Sequence, residues 1–166
     1  IVHAMQRSLS FSLFLQVMRG PLPDPLDRQK FVATTADTLD RIDGVTWADD
    51  LVEAGRPVLM QVGIGDASVP NLNSFLHARA LGLGQMTPAP YPVWGLAEVQ
   101  GPHDGSALTV WDFGFDPSIY ELPLPPADNE VHESVRRSPA AIAQMDAFFA
   151  PGGAIVNPCD GACDPD

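Results

Sequence analysis

Arg56-Pro57-Val58-Leu59-Met60-Gln61-Val62-Gly63-Ile64-Gly65-Asp66-Ala67-Ser68-Val69-Pro70 is the stretch on which the fold turns. A short apolar run opened by Pro57 and closed by Gly63 reads as a strand buried in a parallel sheet. The glycines and Asp66 that follow form a tight loop. Downstream, Leu72, Phe75, Leu76, Ala80 and Leu83 recur at helical spacing, and Gly82 or Gly84 supplies the stop. Residues 84–106 are rich in Pro and Gly, with a short strand around Val93–Val99, and Ala107-Leu108-Thr109-Val110-Trp111-Asp112-Phe113 reads as a second core strand. On that strand Thr109 and Trp111 share one face and Leu108 and Val110 the other. An irregular loop over about 114–137 carries Pro117, Pro123, Pro125 and Pro126, and loops of that length are often functional. A last helix starts with Ser138 as N-cap and Pro139 in the first turn, carries Ile142, Met145, Phe148 and Phe149 as its apolar stripe, and ends at Pro151-Gly152-Gly153.

Upstream, residues 2–18 are apolar on nearly all faces, with Val2, Met5, Leu9 and Leu13 at helical spacing. Such a helix is usually buried in a core, and the sharper alternative is a lid over an apolar substrate site. Gly20-Pro21-Leu22-Pro23-Asp24-Pro25 stops it. Residues 27–42 read as a second helix with Phe31, Val32, Leu39 and Ile42 inward. No internal repeat is visible. The order of helices, strand, helix, strand and helix implies an α/β fold of parallel strands with crossover helices. It divides into a helical segment at 1–44, an α/β core at 45–150 and an acidic, cysteine-containing tail at 151–166.

Composition excludes several classes. The 166 residues carry a net charge of −12, and Lys30 is the only lysine. Nucleic acid and anionic membrane surfaces are therefore poor partners. No apolar run reaches the ~20 residues a bilayer span needs. The chain begins at Ile1 and shows no signal-peptide pattern, so a processed piece of a longer protein is expected.

In an open parallel sheet, functional side chains collect beyond the carboxyl ends of the strands. Asp66 lies three residues past the first core strand, and His132 follows the second, just before the last helix. If the strands are neighbours, both loops open on one edge, where a carboxylate can fix the imidazole tautomer and stabilise its charged form. The imidazole then takes a proton from a nucleophile and returns it to a leaving group. Taken singly, Asp66 reads as a turn residue and His132 as a solvated one; their shared position is what points to chemistry.

Gly63-Ile64-Gly65-Asp66-Ala67-Ser68-Val69-Pro70 resembles the Gly-x-x-Asp-x-x-Val-Pro element of the α/β-hydrolases, in which the Asp is the triad acid. Asn129-Glu130-Val131-His132-Glu133, followed by the helix ending Phe148-Phe149, is similar to that family's histidine loop and final helix. The two are 66 residues apart, and the likeness covers roughly residues 45–150. It implies the C-terminal portion of a three-layer α/β-hydrolase sandwich, with Asp66 as acid, His132 as base, and carboxylic esters cleaved by a serine hydrolase of esterase or lipase type without cofactor or metal. The family's Gly-x-Ser-x-Gly is absent, and Ser68, Ser74 and Ser106 are wrongly placed for a nucleophile. The nucleophile, the oxyanion hole and most strands are accordingly expected in an N-terminal portion of the same protein. The alternative is a non-catalytic interaction module of the same fold, favoured if Ile1 is the natural start. A calcium-stabilised structural module is a third reading.

His103 precedes the last core strand and should sit at the opposite edge; His77 and His3 lack a metal-ligand partner at i+4. Trp94, Trp111, Tyr91 and Phe115 are candidates for lining a substrate pocket, with Trp111 better read as core. Cys159 and Cys163 suit a small disulfide over Gly161, which implies an oxidising compartment and a secreted or periplasmic protein. Two thiols are too few for zinc, the aspartates do not match an EF-hand, and a solvated acidic terminus is the plain alternative.

Overall fold

The computed structural model describes residues 8–114 and 127–164. Four strands form one sheet: β1 (Leu59–Gly63), β2 (Gly84–Met86), β3 (Glu98–Val99) and β4 (Ala107–Trp111). Their spatial order is β1-β4-β2-β3 and all neighbours are parallel. The α/β class with parallel strands therefore holds, and the strands at 58–63 and 107–113 are both present. Two elements differ from the sequence reading. Gly84-Gln85-Met86 is a wholly buried strand where a loop was expected, and the strand expected at Val93–Val99 is confined to its last two residues. Gln85 is also what orders the intervening loop: its side chain donates to Tyr91 O (2.6 Å) and accepts from Val93 N (2.8 Å).

The strand period of two sorts the core as expected. Val62, Ile64, Leu108 and Val110 pack with Ala78 of α4 (Asn71–Ala80) and with Phe75. Full burial of each such aliphatic side chain contributes about 1.5–3 kcal/mol. Thr109 and Trp111 face the opposite layer, formed by α5 (Val131–Arg137) and α6 (Pro139–Phe149). Helices thus cover both faces of the sheet. The Ser138 hydroxyl caps α6 by accepting from Ala141 N. Its inward face is Ala141 and Gln144, whereas Ile142 and Phe149 of the expected stripe are exposed. An apolar stripe read from spacing alone missed a polar hub.

That hub is Gln144, fully buried. Its amide donates to Thr109 Oγ1 (2.8 Å) and Val156 O (2.7 Å), and its carbonyl accepts from Gln61 Nε2 (2.8 Å). It ties α6 to β1, β4 and the tail. Gln144→Leu leaves the buried Thr109 hydroxyl and the half-buried Val156 carbonyl without this donor, so a loss of about 2–4 kcal/mol in urea unfolding is expected. A loss below about 1 kcal/mol would mean that water or a side-chain shift re-satisfies them.

The tail is packed rather than solvated. Ile155 pairs through its backbone with His103 (2.9 and 2.8 Å), Asp112 N donates to Cys163 O (2.9 Å), and Ile155 and Cys163 are buried. Cys159 and Cys163 form a disulfide.

The N-terminal region is helical: α1 (Leu9–Met18), α2 (Pro25–Leu39) with a 3-10 turn at Asp40–Ile42, and α3 (Ala48–Glu53). Asp24 caps α2 by accepting from Leu26 and Asp27 N–H. Contrary to a core helix, α1 buries Phe11 but leaves Leu13 and Val17 two-thirds exposed. In α2, Val32 is inward, while Phe31 and, in the turn, Ile42 face out. Val2 and Met5 lie outside the described residues, as do Phe115 and the prolines at 117, 123, 125 and 126. No helix among the described residues is long and apolar enough to cross a membrane.

At one edge of the sheet, β1 pairs with β4 and carries no further strand among the described residues. Val58 O accepts from Ala107 N (3.0 Å) and Ile64 N donates to Trp111 O (2.8 Å). By alternation, the backbone groups of Leu59 and Gln61 point away from β4 to the open edge.

Candidate active site

The two candidate residues arise at the carboxyl ends of β1 and β4, which are adjacent and parallel. Beyond β1 the chain turns at Gly65, whose φ of +80° suits glycine. Asp66 then folds its Oδ1 back onto the N–H groups of Ser68 and Val69, 2.8 Å each. This Asx turn holds the carboxylate and leaves Oδ2 free for a partner.

That partner is His132, whose Nδ1 lies 2.8 Å from Asp66 Oδ2. Since the carboxylate accepts, Nδ1 carries the proton and Nε2 is the basic nitrogen. Among the described residues Nε2 has no hydrogen-bond partner. Asp66 is 8% exposed and the His132 side chain 26%. The acid is sealed and the ring remains reachable.

His132 is not in a loop, as the sequence suggested, but in the first turn of α5. Glu130 enters that helix with a φ of 60°, a left-handed conformation uncommon outside glycine, and its carbonyl accepts from Glu133 N (3.0 Å) and Ser134 N (2.9 Å). The helix sits directly on the end of β1. A Cβ on Gly63 would run into Val131 Cγ1 and lie 2.9 Å from Val135 Cγ2. Only a glycine lets α5 come this close, and that approach sets the ring at Asp66.

Two asparagines join the site that chemistry-based motif reading did not single out. Asn71 accepts from Gly65 N (2.8 Å) and donates to Gly63 O (2.7 Å). Asn129 donates from Nδ2 to Gly65 O (2.7 Å) and accepts from Val131 N (3.4 Å). The one sequence signal for either is position: Asn71 follows Pro70 at the head of a helix, and Asn129 lies three residues before the histidine.

The remaining candidates are elsewhere. His103 pairs with the tail at the amino edge, as expected of a residue preceding β4. His77 lies two turns along α4, with Nε2 3.6 Å from Asp43 Oδ1. Trp94 stands in solvent, 85% exposed, with the Arg79 guanidinium 5.7 Å from its ring, so it lines no pocket at the pair. Tyr91 stacks on Phe75 at 6.2 Å, and Trp111 is core. Ser106 accepts from Val58 N (2.9 Å), at the amino edge of the sheet. Among the described residues no group of three or more His, Cys, Asp or Glu is placed to hold a metal ion.

The chain matches no protein-family model, and neither the curated proteins nor the solved structures contain a significant match.

Proposed function

We propose that this chain supplies the acid and the base of a serine hydrolase acting on carboxylic esters, in an α/β-hydrolase-like sandwich. The observation that carries the reading is the Asp66–His132 pair, bonded through Nδ1 at 2.8 Å, with no hydrogen-bond partner on Nε2 among the described residues. That orientation is what general-base catalysis requires, because Nδ1 is anchored and Nε2 faces the nucleophile.

The chemistry is acyl transfer. A serine Oγ–H gives its proton to Nε2 of His132 as Oγ bonds to the ester carbonyl carbon. The imidazolium, stabilised by Asp66, returns the proton to the alkoxide oxygen as the C–O bond breaks and the alcohol leaves. A water molecule then gives a proton to Nε2 as its oxygen bonds to the acyl carbon, and the imidazolium returns that proton to the serine Oγ as the acyl C–Oγ bond breaks and the carboxylic acid departs.

The serine comes from another segment of the polypeptide, N-terminal in this reading. The β1 edge supports that: among the described residues no further strand pairs with it, Leu59 and Gln61 offer backbone groups to one more parallel strand, and exposed edges of this kind are normally paired or covered. The Cys159–Cys163 disulfide supports a secreted or periplasmic location.

Treatment of the complete polypeptide with a serine-reactive phosphonate tests the assignment. One serine should be labelled stoichiometrically, and His132→Ala should abolish labelling. If no serine is labelled and no ester is hydrolysed, the reading fails, and a non-catalytic binding module of the same fold takes its place.

A further inference from the structure

We infer that Asn129 is a positioning residue, whose carboxamide brackets the acid turn to the histidine turn and so holds Asp66 in register with His132; the inference rests on the acyl-transfer reading of that pair. The Gly65–Asp66 peptide is the root of the acid. Its carbonyl accepts from Asn129 Nδ2 at 2.7 Å, across 64 residues of sequence. The preceding N–H of Gly65 donates to Asn71 Oδ1 at 2.8 Å. Gly65 is thus gripped on both sides by side chains.

The grip is needed because Gly65 is the softest residue in the turn. At φ +80° it has a wide range of accessible conformations, and its rotation would swing the Asp66 backbone. Asp66 holds Ser68 and Val69 on its far side, but those bonds move with the turn and do not tie it to α5. Asn129 does. Its Oδ1 accepts from Val131 N, the first residue of α5, and its Nδ2 reaches the acid turn. One carboxamide therefore spans the roots of both functional side chains. Without it, only the 2.8 Å acid–base bond and the packing of Val131 and Val135 on Gly63 would hold the two segments in register, at a ring that water can reach.

The test is read on the full chain by NMR, without reference to activity. The Nδ1–H proton of His132 should be protected from solvent exchange in the wild type. Asn129→Asp keeps the shape but cannot donate to Gly65 O, and Asn129→Ala removes the arm. Both should speed Nδ1–H exchange roughly tenfold, the effect of one net hydrogen bond, with far-ultraviolet circular dichroism unchanged. Asn129→Gln, which keeps a donor, should recover part of the protection. In the complete polypeptide, kcat for an ester should fall roughly 10- to 100-fold in Asn129→Asp, with KM little altered. Wild-type exchange in both Asn129→Asp and Asn129→Ala would overturn the inference. Global unfolding of both would also overturn it, by assigning Asn129 to folding alone. Failure of the hydrolase reading looks different: no ester turnover in the wild type, while the exchange response to Asn129 persists.

Discussion

Asp66→Asn in the complete polypeptide is expected to lower kcat for ester hydrolysis by roughly 10⁴-fold, and His132→Ala by at least as much. The two losses have different origins. In the proposed mechanism, His132→Ala removes the group that takes the nucleophile's proton. Asp66→Asn preserves the shape and much of the Asx turn, since an amide oxygen still accepts from Ser68 and Val69. What changes is the partner of Nδ1. An amide N–H facing that nitrogen favours the tautomer with its proton on Nε2, and a ring protonated there cannot act as a base toward the serine. Because both residues work as one unit, the double variant should be little slower than His132→Ala alone. Turnover within about tenfold of wild type in either single variant would remove that residue from the mechanism.

Gly63→Ala should produce the second-largest effect, although the residue touches no substrate. The added methyl would meet Val131 Cγ1 and Val135 Cγ2, both on α5. The strand end is pinned by the Ile64–Trp111 and Asn71–Gly63 hydrogen bonds, so the helix must give way. Overpacking of this kind costs about 1–3 kcal/mol. The displaced helix carries His132, and a shift of about 1 Å at a catalytic group can cost on the order of 100-fold in rate. Chemical denaturation and ester kinetics on one variant should therefore show a modest stability loss beside a disproportionate fall in kcat. A proportionate pair of effects, or unchanged kcat in a folded variant, would show that α5 does not set the ring position.

Much of the strand framework was legible. Val58 to Gly63 and Ala107 to Trp111 announce themselves because a strand buried on both faces tolerates little but apolar residues. The Ser138-Pro139 start of α6 was legible because capping is a local interaction. Gly84-Gln85-Met86 was not, since a three-residue strand with a glycine and a glutamine has no apolar run; it is a strand because β4 lies beside it and Gln85 finds backbone partners in the loop. The first turn of α5 was hidden for a similar reason. Its start is an αL glutamate, and its burial depends on a glycine 68 residues earlier. The inward face of α6 was misread because Gln144 is buried by its partners rather than by its own polarity.

The sequence by itself determined the class of fold and the two residue types that could exchange a proton, because apolar runs, glycines and caps act through near neighbours. The tertiary structure alone decided that β1 and β4 are adjacent, that Asp66 and His132 meet at 2.8 Å, and that Asn129 spans their roots. Those contacts join residues between 48 and 66 positions apart, and only packing of the intervening chain brings such groups within hydrogen-bonding distance.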